Sequence, residues 1–163
     1  STSRRQRQMC IRDRYKLGNK EFLGAGQKSG VYWAVDPDNG NVLWHTQVGP
    51  GGSLGGLQWG SAYDGKRIYA AISNNSHTAW TLPNGTVTHA GLWSALDPAT
   101  GAILWQTTGT PAVTTTNQGA VSVANGVVYA GTIDAVGTMY ALSASTGQTL
   151  WTVSYTHLRA HET

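Results

Sequence analysis

The chain has 163 residues, room for one domain of ordinary size, and its 21 Gly, 7 Trp and 7 Tyr with only 12% charged residues argue against a helical protein, whose outer faces need far more Glu, Lys and Arg. The formal charge of +3 does not mark a nucleic-acid binder, because six arginines lie in the two ends and residues 15–154 hold five basic groups against six acidic ones. No run of about 18 apolar residues is present to cross a membrane as a helix.

In chain order, residues 1–14 (STSRRQRQMCIRDR) come first. They show no periodicity and no turn chemistry. They resemble a peptide produced when sequencing-adapter DNA is translated at the edge of an assembled read. Residues 153–163 (VSYTHLRAHET) resemble the companion peptide from the other edge. Both are set aside as scars; the alternative is a genuine basic arm and tail. On this expectation Cys10, His157 and His161 are not site candidates. Residues 15–152 then hold no cysteine from which to read a redox compartment, and they are a piece of a longer protein.

Within 15–152 one pattern recurs three times. Ala34-Val35-Asp36-Pro37-Asp38-Asn39-Gly40-Asn41-Val42-Leu43-Trp44 returns as Ala95-Leu96-Asp97-Pro98-Ala99-Thr100-Gly101-Ala102-Ile103-Leu104-Trp105. It returns again as Ala141-Leu142-Ser143-Ala144-Ser145-Thr146-Gly147-Gln148-Thr149-Leu150-Trp151. The tryptophans are 61 and 46 residues apart, the period of propeller blades. Each copy reads as strand, turn, strand. Asp accepts backbone amides, Pro presets φ, and Gly takes φ > 0. Between the copies lie two further hairpins, with Asp64-Gly65 and Asn125-Gly126 at their tips.

Two hairpins per repeat make a four-stranded antiparallel blade. The expected fold is therefore all-β, a partial propeller of about two and a half blades, with no helix. A half blade (18–48) has strands over 22–26, 31–35 and 42–47. One blade (57–108) has strands A to D over 59–63, 67–72, 91–96 and 103–107. A second (118–152) has them over 119–123, 127–132, 138–142 and 149–152. Residues 73–90 form one long insertion.

The repeat resembles the tryptophan-docking motif of the quinoprotein alcohol dehydrogenases. That resemblance implies an eight-bladed propeller using pyrroloquinoline quinone (PQQ) with calcium. Gly24-Ala25-Gly26-Gln27-Lys28-Ser29-Gly30, Gln47-Val48-Gly49-Pro50-Gly51-Gly52, Gly55-Gly56 and Trp59-Gly60 are similar to the polyvinyl-alcohol dehydrogenase branch. The branch implies a secondary, polymeric alcohol as substrate, a cytochrome c electron acceptor and a periplasmic or secreted location. The full-length protein could also carry haem c.

Blade geometry puts the B→C and D→A connections at one end of the propeller. Lys28, the Gly-rich loop 49–57 and the insertion 73–90 all fall there. The resemblance implies that Lys28 hydrogen-bonds the quinone oxygens, in a Gln-Lys-Ser-Gly context where relatives have Ser-Lys-Asn-Gly. It implies that Gln58 and Trp59, at the start of an inner strand, border the cofactor. Gln118 stands where relatives carry Trp, and with Asn117 it would offer amide hydrogen bonds.

Each candidate has a plainer reading. Lys28 would be a solvated turn lysine and Trp59 a core aromatic between blades. Trp44, Trp105 and Trp151 are structural, and Asp36 and Asp97 are turn acids. His77 and His89 lie in the insertion without metal-ligand spacing.

The family's catalytic Asp, calcium ligands and quinone-stacking residue map nowhere onto 15–152. Cys-x-x-Cys-His is also missing from the chain. The expectation is thus an inactive piece of a PQQ-dependent alcohol dehydrogenase. Two other readings stand beside it: a non-catalytic propeller scaffold that binds protein partners, and a sugar- or polymer-binding module.

Overall fold

The computed structural model describes residues 12–109 and 114–154. No helix occurs among them; they form strands joined by turns and loops. Three four-stranded antiparallel sheets follow one another along the chain.

The first sheet holds β1 (Arg12–Leu17), β2 (Lys20–Gly26), β3 (Val31–Val35) and β4 (Val42–Gln47), side by side in that order. The second holds β5 (Ala62–Tyr63), β6 (Ile68–Ile72), β9 (Leu92–Leu96) and β10 (Ile103–Thr108). The third holds β11 (Ser122–Ala124), β12 (Val127–Gly131), β13 (Thr138–Ser143) and β14 (Thr149–Ser154). The expected partial propeller is the observed architecture. Its strands 31–35 and 42–47 fall on the observed β3 and β4.

Three features differ from expectation. The first sheet is not a half blade: β1 completes it, pairing Tyr15 with Phe22 and Leu17 with Lys20 around a turn in which Gly18 has φ +60°. Tyr15 holds this strand in place. It is buried, packs on Phe22 and Tyr63, and its hydroxyl lies 2.8 Å from those of both Tyr32 and Ser61. Residues 12–14 of this strand lie within the segment set aside as a scar.

Second, β5 and β11 are shorter than the strands expected over 59–63 and 119–123. The backbone before them bonds elsewhere, since Gly60 O accepts from Val121 N at 3.2 Å across the two sheets. Third, the insertion carries its own hairpin, β7 (Trp80–Thr81) with β8 (Val87–Thr88), closed by Leu82 N donating to Thr86 O at 2.8 Å.

Each repeated turn works in the same way. Asp36 Oδ1 accepts from Asp38 N, and Asp97 Oδ1 from Ala99 N, both at 2.8 Å. Ser143 instead bonds the Ser145 hydroxyl. The Gly40, Gly101 and Gly147 amides each return to the first residue of their turn, and all three glycines have φ of +73° to +76°. A register shift follows in every copy, the signature of a β-bulge. It turns Leu43, Leu104 and Leu150 outward to solvent; the next residue is always Trp, and Trp44 and Trp105 reach the adjacent sheet, donating to Pro98 O and Ala144 O, while Trp151 on the last sheet is exposed.

Two cores form between the three sheets. One joins Phe22, Tyr32 and Ala34 to Ile68, Ile72 and Leu92. The other joins Tyr69, Trp93 and Trp105 to Val128, Tyr140 and Leu142. The second sheet thus buries both faces, so β6 and β9 are buried at every residue without period-two alternation.

Candidate cofactor-binding end

Lys28 sits on the tight turn between β2 and β3. Gly30 N donates to Gln27 O at 2.9 Å, and Gly30 takes φ +84°. The Gln27 carboxamide oxygen accepts from the Ser29 hydroxyl and from Trp33 Nε1, stapling the turn to β3.

The loop 49–57 folds down onto this turn through glycines. Gly52 N donates to Lys28 O at 3.2 Å and Leu57 N to Gln27 O at 3.0 Å. Space there is so short that a Cβ on Gly56 would fall 2.2 Å from Lys28 O, and one on Gly30 2.0 Å from Gly49 O. The run of glycines is a packing requirement of two backbones in contact. Its result is a fixed lysine backbone with an exposed side chain, whose Nζ donates to Ser53 O at 3.1 Å.

The ladder of loop contacts continues across the molecule. Ser73 N donates to Gly56 O at 3.0 Å, and Asn117 N to Ser73 O at 3.4 Å. The Lys28 turn, the Gly-rich loop, the root of the insertion and the segment before β11 are thereby joined in series. Lys28 lies in this ladder and Gln58 touches it, while Trp59 and Gln118 stand next to it in the chain. Gln58 is half-buried, with Nε2 3.5 Å from Gly55 O. Trp59 is half-buried, and it lies in the loop before β5, not in the strand. Gln118 is half-buried next to Asn117. Lys28 and Gln58 meet the same short loop; Gln118 joins through Asn117 and Ser73.

Sequence reasoning missed the polar atoms beneath the ladder. Ser73 Oγ, Asn75 Oδ1, Thr115 Oγ1 and both amide atoms of Asn117 are buried without a hydrogen-bond partner among the described residues. Unpaired buried amides are costly, and natural proteins keep few of them. The sequence offers Asn117 only as a source of amide hydrogen bonds. Ser73, Asn75 and Thr115 read as ordinary loop residues, and no sequence signal marks them as buried.

The insertion is organised by one residue. Asn74 is fully buried in a left-handed conformation (φ +46°). Its Nδ2 donates to Thr78 O (2.9 Å) and Ala90 O (3.0 Å), and its Oδ1 accepts from Thr78 N. Above it His77 and His89 bond reciprocally, each Nδ1 to the other's carbonyl oxygen at 3.1 and 2.8 Å. A carbonyl only accepts, so both imidazoles carry the proton on Nδ1.

Asp134, in the β12–β13 turn at the same end, stays ionised below the usual carboxylate range. Burial alone would raise its pKa, but hydrogen bonds from Thr138, Thr132 and the Val136 and Gly137 amides outweigh it. No group of His, Cys, Asp and Glu among the described residues has the arrangement to hold a metal ion.

A family model described as outer membrane protein assembly factor BamB matches residues 27–160. A polyvinylalcohol dehydrogenase of Sphingopyxis sp. (strain 113P3) is 35% identical over 144 residues, covering 82% of this chain and 21% of the relative. One from Pseudomonas sp. is 34% identical over 137 residues, covering 81% and 20%. The chain thus spans about a fifth of the length of these relatives.

Among solved structures, the quinohemoprotein alcohol dehydrogenase of Comamonas testosteroni superposes with a TM-score of 0.59 at 19% identity, over 86% of this chain and 20% of that one. BamB of Moraxella catarrhalis superposes with a TM-score of 0.51 at 20% identity, over 80% and 33%. The three repeated sheets and the family match agree: the chain belongs to the PQQ-like β-propeller repeat family.

Proposed function

We propose that this chain is part of a PQQ-dependent dehydrogenase that oxidises secondary or polymeric alcohols in the periplasm and passes electrons to a cytochrome c. The observation that carries this reading is the similarity to two polyvinylalcohol dehydrogenases over 82% and 81% of the chain. The donor set at the axial end fits the quinone. An ammonium, two side-chain amides, an indole and the unpartnered Asn117 carboxamide suit a flat group rich in carbonyl and carboxylate oxygens.

PQQ, when bound with calcium held outside this chain, supplies the acceptor for hydride from the alcohol carbon. Lys28 would hold a positive charge beside the quinone oxygens, from a backbone already fixed by the glycine clasp. Trp59 forms part of the pocket wall, and Gln58 and Gln118 donate from their amides. The hydroxyl proton goes to a carboxylate outside residues 15–152. Tryptophan docking between blades holds these loops in register.

The test uses the complete protein that contains this chain, supplied with PQQ and calcium, and follows reduction of an artificial electron acceptor. Alcohol-dependent reduction with 2-butanol or poly(vinyl alcohol) supports the reading. Lys28→Ala should then lower turnover by about 10²-fold, the loss typical of one electrostatic donor. The family model described as BamB favours a second reading, a scaffold that binds protein partners and no quinone. Absence of both PQQ binding and alcohol-dependent reduction would decide for the scaffold.

A further inference from the structure

Three exposed turns carry Asn followed by Gly: Asn39-Gly40, Asn84-Gly85 and Asn125-Gly126. Such a pair can react with itself, because glycine has no Cβ to keep its amide nitrogen away from the asparagine side chain. The fold treats the three pairs differently.

Asn39 is held on every side. Its Nδ2 donates to Asp36 Oδ2 at 3.2 Å, its Oδ1 accepts from Asn41 N at 2.9 Å, and Gly40 N donates to Asp36 O at 2.9 Å. Asn84 is held at two points: its Oδ1 accepts from Thr86 N at 3.0 Å, and Gly85 N donates to Leu82 O at 2.9 Å. At the tip of the β11–β12 hairpin, neither the Asn125 carboxamide nor Gly126 N has a hydrogen-bond partner among the described residues. A Cβ on Gly126 would meet nothing within 4 Å, so the approach to its nitrogen is open. Asn125 and Gly126 have φ of +50° and +77°, as a two-residue hairpin turn requires, and the β11 that supports them is three residues long.

Asn125 also lines a cleft between the second and third sheets, together with Asp64, Lys66 and Arg67. Asp64 is committed to the Lys66 and Arg67 amides and the Tyr69 hydroxyl. The ion pairs among the described residues join Glu21 to Arg14 and Lys16, so neither side-chain cation of the cleft is paired.

We propose that Asn125 is a site of self-modification, where a neutral carboxamide becomes a carboxylate in this cleft without an enzyme. Gly126 N bonds to Asn125 Cγ and gives up its proton. The Cγ–Nδ2 bond breaks, and the side-chain nitrogen leaves as ammonia. Water then opens the cyclic imide. Attack at Cγ breaks its bond to Gly126 N and gives aspartate. Attack at the main-chain carbonyl gives isoaspartate, in which the backbone runs through the former side chain. No electrons are exchanged, and water is the sole co-reactant. In either product the new charge joins Lys66 and Arg67, where opposite charges attract.

The purified full chain, kept folded at mildly alkaline pH, is sampled over weeks, digested and read by mass spectrometry for conversion of amide to acid. Isoaspartate is counted by labelling with isoaspartyl methyltransferase. A parallel sample in urea gives the rate of each pair without the fold. Folding should slow Asn39 and Asn84 by about tenfold or more, because their held amides must break hydrogen bonds before attack, and should leave Asn125 within about threefold of its unfolded rate. Asn125→Gly keeps the turn and should remove most of the isoaspartate that the folded chain forms.

Faster conversion at Asn39 or Asn84 than at Asn125 in the folded chain overturns the proposal. So does an Asn125 that folding slows as much as the other two, or an Asn125→Gly chain that gathers isoaspartate like the wild type.

Discussion

Gly91 and Asn117 touch through bare backbone. A Cβ on Gly91 would stand 2.6 Å from Asn117 N, 2.8 Å from its Cγ and 2.8 Å from Ser73 O. Nothing in Gly91's own conformation requires glycine, so its place is set by the neighbour. Gly91→Ala is expected to destabilise the chain by about 1–3 kcal/mol, the usual cost of overpacking. Urea unfolding at unchanged m-value checks it.

Gly56 faces a harder constraint, because φ +75° and the 2.2 Å approach to Lys28 O act together. The left-handed conformation alone costs a residue with a Cβ about 1–2 kcal/mol. Gly56→Ala is therefore expected to cost more than Gly91→Ala in the same titration. It should also release the Lys28 turn, so in the complete protein quinone affinity falls with it. An alanine variant with wild-type stability would mean that the clasp is not tight.

Trp105 and Trp151 make a matched pair for mutagenesis. Trp105 is buried and its Nε1 bonds Ala144 O, which also accepts from the Tyr69 hydroxyl at 3.2 Å. Trp105→Ala should cost about 3–5 kcal/mol, while Trp105→Phe keeps much of the apolar contact and loses about 1 kcal/mol with the hydrogen bond. Trp151→Ala, at a half-exposed indole, should change stability by less than about 0.5 kcal/mol.

Acid should weaken the fold in a defined direction. Asp64 titrates below the usual range. Burial would raise its pKa, but the Tyr69 hydroxyl and the Lys66 and Arg67 amides hold the carboxylate more strongly. Glu21, beside Arg14 and Lys16, is lowered as well, as is Asp134. A pKa depressed on folding contributes stability above its unfolded value near 4, and that stability is lost as pH falls through the folded value. The unfolding midpoint should thus drop below pH ~4, and Asp64→Asn should flatten that drop while lowering stability at pH 7.

The sequence made the turns readable because their chemistry is local. Asp36-Pro37 with Gly40 and Asn125-Gly126 each declare a backbone conformation within a few residues, and the strands on either side follow from them. Lys28 was readable through resemblance alone; an isolated turn lysine has no pattern of its own. The first strand is not legible because residues 12–14 run on from a segment without periodicity, although Tyr15 and the Gly18-Asn19 turn belong to a hairpin. Burial of Ser73, Thr115 and Asn117 was not readable, since it arises where three distant loops meet and polar loop residues ordinarily face water.

Asn74 gives the insertion a narrow neck. Its carboxamide binds Ala90 O, so residues 75–89 leave and re-enter the fold at one tied point. Beyond that knot the chain can grow or shrink cheaply, because doubling a loop adds only about 0.6 kcal/mol of closure entropy. The tolerance is confined to the tip, because Leu82 sits in the first core, Trp80 packs against that core and its Nε1 donates to Gln106 Oε1 at 3.0 Å. A descendant of this protein can therefore lengthen or rewrite the 83–86 turn between the two short strands of the insertion, while Trp80, Leu82, Ser73 and the Lys28 turn keep their places.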